Sequence, residues 1–204
     1  MSITINGNGT ITGYTPPIAD GSITATKLAA NAVTTTAIAD SAVTPVKSTI
    51  TGGISMYDEW RRSTNGSGTG TITNDWERND SSWFAQLGTG MTQSSGVFTF
   101  PSTGIYIVHY HVMGYRNGDS PFFGANLYVS TDSGSNWTTA VYSRNSNNAD
   151  GDAYATAYGH SSIDVTNAST YRVKVVIDTA GTWNWRGNSS FNESFMTFMK
   201  AGET

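Results

Sequence analysis

Two histidines separated by a single residue are the strongest metal-ligand candidates in the sequence. Successive side chains of a β-strand point to opposite faces, so a strand containing His109 and His111 would place both imidazoles on one face. If three copies of the chain met about an axis, six such nitrogens would suit octahedral coordination of a transition metal. Packing of both histidines within a sheet or at a subunit interface is the alternative interpretation.

Two pairs of acidic residues are candidates for the acid and base of a glycosidase. The pairs Asp58–Glu59 and Asp75/Glu77 could supply the two carboxyl groups of a glycosidase, but nothing in the sequence brings two of them to opposite sides of a bond. His160 and the many serines lack the strand–turn–helix context of a hydrolase nucleophile. We therefore predict no catalytic residues and do not expect an enzyme.

Two loops carry further acidic residues. Asp150 and Asp152 flank a glycine and could offer oxygen ligands to calcium, although the twelve-residue spacing of a helix–loop–helix calcium site is absent and a solvated loop is the alternative. The run Ser-Thr-Asp-Ser-Gly-Ser-Asn-Trp at 130–137 resembles the Asp-box of sialidase propellers. In it an aspartate binds turn amides, so we interpret the run as a structural turn.

A tryptophan pair near the C-terminus is the candidate receptor contact. Trp183 and Trp185 are two residues apart and are followed by Arg186 and Asn188. Aromatic faces beside amide groups suit stacking against sugars, which predicts contact with a glycan. A core or interface strand is the alternative, because large aromatic residues are usually buried.

The segment 96–112 has the clearest β-strand pattern, with two strands joined by a Pro-Ser-Thr-Gly turn. In the second strand Tyr106, Val108, Tyr110 and Val112 share one face, and mostly apolar side chains occupy the other. Such a strand predicts a second sheet on one side and another subunit on the other. Further strands are predicted at 54–61, 71–78, 125–130, 140–144, 153–161, 171–177 and 195–200.

The same segment resembles the strand–turn–strand motif of the globular head of complement component 1q, in Gly96, Phe98, Pro101, Gly104 and Tyr106. The phenylalanine-rich end, 191–199, resembles the last strand of that family. The resemblance covers about residues 53–201 and implies an antiparallel jelly roll of the tumour-necrosis-factor type that assembles as a homotrimer.

A ten-residue repeat in three copies occupies residues 19–48. Fixed periods are typical of linear, stacked architectures, and each copy has too few apolar side chains to fold alone. Three chains wound about one axis would bury the recurring residues Ile23, Leu28, Val33, Ile38 and Val43. The alternative is a disordered Ala/Thr-rich linker.

Composition excludes several classes of function. The net charge of −4 and the scattered Lys and Arg residues argue against nucleic-acid binding. The absence of cysteine excludes disulfides and thiolate metal sites. No apolar run reaches the roughly 20 residues needed to cross a bilayer, and no signal peptide is recognisable, so we expect neither membrane insertion nor standard secretion.

The repeat, with its Ser-Ile-Thr and Ala-Val-Thr steps, is similar to repeats in fibre and other virion proteins of tailed bacteriophages. Together the patterns predict an all-β protein: an N-terminal anchor (1–17), an extended trimeric stalk (18–52) and a trimeric antiparallel jelly-roll sandwich head (53–204). The expected function is host attachment by a phage fibre or spike, assembled in the host cytoplasm, joined to other virion proteins through its N-terminus and binding a host-surface glycan or protein. A capsid-attached head fibre or decoration protein, a glycan-degrading tailspike and a cellular complement-like binding module are the alternatives.

Overall fold

The computed structural model describes residues 53–117, 120–147 and 152–204, together with Thr4–Ile5, Gly7, Ile11–Thr12 and Thr24. The chain divides into two compact units, Met1–Ile50 and Thr51–Thr204. The predicted stalk residues Ile23, Leu28, Val33, Ile38 and Val43 lie outside the described residues, as do Asp150 and Gly151 of the calcium candidate. Within the described part of the chain, no helix is long and apolar enough to span a membrane.

The described part of the N-terminal unit contains one antiparallel strand pair. Strand β1 (Thr4–Ile5) pairs with β2 (Ile11–Thr12), with Thr4 opposite Thr12. Gly7 lies in the turn between them.

The second unit contains thirteen strands among its described residues, arranged in two antiparallel sheets. They are β3 Met56–Arg62, β4 Gly66–Ser67, β5 Gly70–Thr71, β6 Trp76–Arg78, β7 Thr92–Ser94, β8 Val97–Thr99, β9 Gly104–Asn117, β10 Ser120–Ser130, β11 Thr138–Asn147, β12 Asp152–Val165, β13 Arg172–Thr179, β14 Asn184–Trp185 and β15 Phe195–Gly202. Every predicted strand of this unit is present, although the segment predicted as one strand at 71–78 is split into β5 and β6. Asp75 adopts a φ of 56° between these two strands.

The two sheets are built from strands distant in sequence. One has the order β11-β10-β13-β8-β7, with β5 also paired to β13. The other has the order β12-β9-β15-β3-β6, and β14 joins β4 to the far end of β9. The phenylalanine-rich strand β15 therefore lies in the middle of its sheet, between β3 and β9.

The motif segment connects these two sheets. Strand β8 pairs with β7 and β13, whereas β9 belongs to the opposite sheet, so the Pro-Ser-Thr-Gly turn crosses from one layer to the other. The turn between the two predicted strands is therefore a corner between the sheets and not a hairpin within one sheet. At this corner the Tyr106 hydroxyl donates a hydrogen bond of 3.0 Å to the Ser102 carbonyl.

Both glycines flanking this corner are required by close backbone approaches. Gly96 has a φ of 73°, and a Cβ there would collide with the Ile72 carbonyl. Gly104 has a φ of 141°, and a Cβ there would come within 2.7 Å of the Gly202 carbonyl oxygen as well as displace the Lys200 side chain. Residues with a side chain rarely adopt such φ angles, whereas glycine adopts them without a steric cost, so glycine fits both positions.

The core lies between the two sheets and is rich in aromatic rings. Phe98 contacts Trp60, Trp76 and Phe198 at ring-centroid distances of 5.7, 5.4 and 5.1 Å. The four residues that the alternation groups on one face of β9 point into this core and are fully buried: Tyr106, Val108, Tyr110 and Val112. Burial of this one face leaves the opposite face of β9 directed away from the core.

Candidate functional site

The face of the β12-β9-β15-β3 sheet that points away from the core is the candidate site, and we call it the outer face. Strand register places Glu59, Thr197, His109 and His160 in one row across β3, β15, β9 and β12. The next row contains Arg61, Phe195, His111 and Tyr158. Side chains in register on neighbouring strands share a face, so these eight residues belong to the same surface.

The outer face carries large side chains that are exposed in a single chain. Tyr158 is 63% exposed and Tyr154 56% exposed, both on β12, and Ile105 on β9 is 38% exposed. The inward residues of β12 that alternate with these tyrosines are small and buried, namely Ala153, Ala155 and Ala157. The alternation of alanine with tyrosine along β12 turns its bulky side chains outward, as an interaction surface requires.

All three histidines of the sequence lie on the outer face. His109 is directly opposite His160, and the His111 ring stacks on Phe195 at 5.3 Å between centroids. Burial lowers the pKa of His109, the neighbouring His111 and His160 lower it further, and Glu59 opposes them. His109 is therefore held towards its neutral form at physiological pH, in which an imidazole can be buried at low cost.

The metal hypothesis for His109 and His111 requires several copies of the chain. Both imidazoles lie on one face, as predicted, but Nδ1 of His111 is 3.0 Å from the Glu193 carbonyl oxygen, which leaves Nε2 for other ligands. No group of three or more metal-ligating side chains is suitably arranged within the described residues of one chain. Coordination at a threefold axis stays a prediction.

The structure places Trp183 and Trp185 in the core, which was the alternative interpretation of the pair, and not on a surface where they could stack against a sugar. Trp183 is fully buried against Phe123, at 5.1 Å between rings, and Trp185 is 8% exposed. The Trp185 indole lies over Gly66, where any Cβ would collide with it. Neither indole face can reach a ligand.

The polar partners of that candidate site have structural contacts. Arg186 Nε donates to Glu193 Oε1 at 3.2 Å. The backbone nitrogen of Asn188 donates to the Arg62 carbonyl at 2.8 Å, and the Asn188 side chain accepts from the Ser190 backbone. These bonds fix the segment after β14 rather than presenting its amides to solvent.

The acidic pairs are not arranged as a catalytic acid and base in the described residues. Asp58 is fully buried and accepts from Arg78 Nε at 2.9 Å and from Trp60 Nε1 at 2.9 Å. Glu59, the next residue of β3, lies on the outer face. Asp75 and Glu77 contact Arg62 and Arg61 respectively, and Tyr115 donates to Asp152.

The turn predicted at 130–137 is confirmed between β10 and β11. Asp132 accepts from the Asn136 backbone nitrogen at 2.8 Å and from its side-chain amide at 2.6 Å. These bonds, together with one from Ser130, lower the pKa of Asp132 to about 2. The Trp137 ring packs under Lys174, whose Nζ is 4.0 Å from the ring centroid. The motif is structural.

Sequence reasoning missed His160 and the tyrosines of β12 as parts of the site. Their signal was the alternation from Ala153 to His160, in which small residues alternate with aromatic and polar ones. The pairing of His160 with His109 had no local signal, because it depends on the register between β9 and β12.

The fold is similar to that of solved tumour-necrosis-factor structures. A TNF from S. frugiperda, Eiger, matches with a TM-score of 0.56 and 13% identity, covering 73% of this chain and 94% of that chain. Murine APRIL at pH 5.0 matches with a TM-score of 0.53 and 14% identity, covering 71% and 98%. Murine APRIL at pH 8.5 matches with a TM-score of 0.51 and 16% identity, with the same coverage. No family model and no curated protein matches the chain.

The similarity between this chain and these solved structures is a similarity of fold. The described strands are antiparallel and form two packed layers, and the neighbours are TNF-like jelly rolls, so the second unit is an all-β jelly roll of this type. That confirms the fold expected from the motif at residues 96–106. At 13–16% identity the comparison carries no information on ligands.

Proposed function

We propose that this chain is a fibre or spike protein of a tailed-phage virion, and that its jelly-roll head forms a homotrimer that attaches to a host surface. The observation that supports trimerisation best is the outer face, where Ile105, Tyr154 and Tyr158 are exposed beside three histidines. The TNF-type fold and the ten-residue repeat both agree with a threefold assembly.

Burial of the outer face between copies is physically favourable. Tyrosine is enriched at interfaces because its large ring buries apolar surface while its hydroxyl can stay hydrogen-bonded to water at the solvated edge of the contact. The pKa of His109 is lowered, so its imidazole can be buried in the contact in the neutral form, without the cost of burying a charge. In a trimer the β9 and β12 part of the outer face, which includes His109 and His160, would face another copy, while Glu59 on β3 would stay outside the contact.

Trimerisation suits attachment because three weak contacts on one particle act together. Linked sites exceed the affinity of a single site by about two to four orders of magnitude when they can engage simultaneously. We propose that residues 1–17 join other virion proteins. Attachment to the capsid in place of the tail is compatible with the same head.

Solution mass tests the assembly. Three chains of 21.8 kDa give about 65 kDa by light scattering. Tyr158→Glu would bury charge in the interface and is expected to yield a monomer. The matched control is Tyr142→Glu on the other sheet, at a residue 59% exposed against 63% for Tyr158, and it should remain trimeric. A monomeric wild-type chain, or equal behaviour of the two variants, would refute the proposed interface.

Virion location and attachment require a second measurement. An antibody against this chain should label purified phage particles in electron micrographs, and purified chain should bind cells of the host strain and slow phage adsorption. Particles that remain unlabelled would contradict the virion assignment. Labelled particles, combined with chain that neither binds cells nor competes, would favour a purely structural fibre.

A further inference from the structure

We propose that a cleft beside β3 binds a pyranose ring of a host-surface glycan, a proposal that deepens the attachment function and rests on it. The cleft has a volume of about 450 Å³, which is within the range of about 300–1,000 Å³ typical of small-molecule sites. We call it the Trp83 cleft. The lining residues used below are Tyr57, Glu59, Asn79, Trp83, Phe84 and Asn192.

An exposed aromatic surface forms one side of the Trp83 cleft. Trp83 is 79% exposed, whereas the two tryptophans first considered for this role are buried. Tyr57 and Phe84 add two rings whose centroids are 6.1 Å apart. A flat indole that is open to solvent offers the apolar surface on which the C–H face of a sugar ring can stack.

A fixed carboxylate lies in the same cleft. Glu59 is only 9% exposed, and its Oε1 accepts from Asn79 Nδ2 at 2.5 Å and from Asn192 Nδ2 at 2.6 Å. An ionised carboxylate only accepts hydrogen bonds, and sugar hydroxyls are suitable donors to it. We assign Oε2 of Glu59 as the acceptor for a pair of ligand hydroxyls.

The hydroxyl of Tyr57 in the cleft interacts with the Glu59 carboxylate. Burial raises the pKa of the Tyr57 hydroxyl, and the charge of Glu59 and a hydrogen bond to it raise that pKa further. Tyr57 therefore stays protonated and can hydrogen-bond as well as stack. A site with an acceptor, amides and aromatic faces has the mixed polarity that sugar recognition requires.

The walls of the cleft are held in place before any ligand binds. Arg61 Nη1 donates to Asn79 Oδ1 at 3.0 Å, and Arg61 Nε donates to Glu77 at 2.8 Å. Further along, Leu87 and Tyr57 exchange two backbone hydrogen bonds of 3.0 and 3.1 Å. The segment that carries Trp83 is thus fastened to β3 on both sides, which lowers the entropic cost of binding.

The ring arrangement favours a sugar over a quaternary ammonium group. Cages for such cations surround them with aromatic faces. Among the described rings of this cleft, only Tyr57 and Phe84 are in ring contact, while Trp83 projects into solvent. An open platform beside a carboxylate fits a disc-shaped, hydroxylated ring.

The first experiment titrates the complete chain with methyl glycosides of glucose, galactose, mannose and N-acetylglucosamine, followed by ligand-observed NMR and calorimetry. At least one is expected to bind with a Kd on the order of 1 mM. Trp83→Ala should weaken that binding about two- to tenfold by loss of stacking. Glu59→Gln should weaken it about tenfold or more by loss of the charged acceptor.

Two controls separate a binding defect from a folding defect. Tyr142→Ala removes an aromatic ring that is 59% exposed on the other sheet and should bind as wild type does. Circular dichroism and thermal unfolding of Trp83→Ala should match wild type, because its side chain is mostly exposed. If no glycoside binds wild type, or if the Tyr142 and Trp83 variants behave alike, the cleft is not a sugar site.

Cell binding distinguishes failure of the cleft from failure of the attachment function. Wild-type chain that binds host cells, together with an unimpaired Trp83→Ala variant, would overturn the cleft and leave attachment intact. Glycoside binding without any cell binding would overturn attachment, and with it the receptor role of the cleft. Glycoside binding by the monomeric Tyr158→Glu chain alone would show that trimerisation covers the cleft, which also overturns that role.

Discussion

Replacing Trp183 by alanine tests whether its indole belongs to the core or to a binding surface. The side chain is fully buried and packs on Phe123 at 5.1 Å between rings. A buried tryptophan removes about 150–250 Å² from water, which at about 25 cal/mol per Å² corresponds to about 4–6 kcal/mol. Measured truncations of this kind cost about 3–5 kcal/mol because the site partly collapses. We expect a loss of about 4 kcal/mol in the free energy of unfolding.

The assay is urea denaturation at a fixed protein concentration, because assembly makes apparent stability depend on concentration. A loss of about 4 kcal/mol is a large share of the 5–15 kcal/mol available to a domain, so Trp183→Phe is measured in parallel. It retains a ring against Phe123 and should cost about 1–2 kcal/mol, in proportion to the smaller area lost. The slope of free energy against urea should stay constant in both variants.

The matched control is Trp83→Ala, because Trp83 is the same residue type at 79% exposure. A mostly exposed side chain contributes little to the free energy of unfolding, so Trp83→Ala should change that free energy by no more than about 0.5 kcal/mol. A cost below about 1 kcal/mol for Trp183→Ala would refute the burial argument. Equal costs at the two positions would refute the assignment of one tryptophan to the core and the other to the surface.

Three further predictions concern buried or strongly bonded polar groups. Asp58→Asn should lower the free energy of unfolding by about 1–3 kcal/mol in urea denaturation, because the buried Asp58 carboxylate accepts hydrogen bonds from Arg78 and Trp60 that an amide can replace only in part, and a cost below about 0.5 kcal/mol would contradict that. Tyr110→Phe should lower the free energy of unfolding by about 1–3 kcal/mol, because it removes the 2.7 Å hydrogen bond from the Tyr110 hydroxyl to the Ala125 carbonyl. In the wild type, ultraviolet titration should give Tyr110 a pKa of about 12, because burial raises it. Nuclear magnetic resonance titration should give the Asp132 carboxyl a pKa of about 2. The hydrogen bonds of this carboxylate therefore stabilise the turn above about pH 4, and this stabilisation is lost as the pH falls towards 2. An ordinary pKa would show that the turn amides do not hold the carboxylate.

Local pattern was sufficient for the longer strands and for the Asp132 turn, but the short strands β4 and β7 were not predicted. Strict alternation in residues 105–112 marked Tyr106, Val108, Tyr110 and Val112 as one face, and all four are buried. The Asp132 turn was also predictable, because its hydrogen bonds join residues at most four apart. The jelly roll was expected from the family resemblance of the motif at 96–106, in which Gly96 and Gly104 adopt backbone angles that other residues rarely adopt.

Only the tertiary structure decided which side chains reach solvent and which residues meet. A period of two gives Trp183 and Trp185 a common face but does not say whether that face is inside, and here the indole of Trp185 fills the space over Gly66. The row joining His109 to His160 brings together residues 51 positions apart, through a register that all of β9 and β12 fix jointly. The Trp83 cleft depends on a loop fastened to β3 by Arg61 and Leu87. Sequence determines local backbone geometry, whereas the pairing of distant strands determines where its side chains come together, because register is set by the packing of the whole sheet.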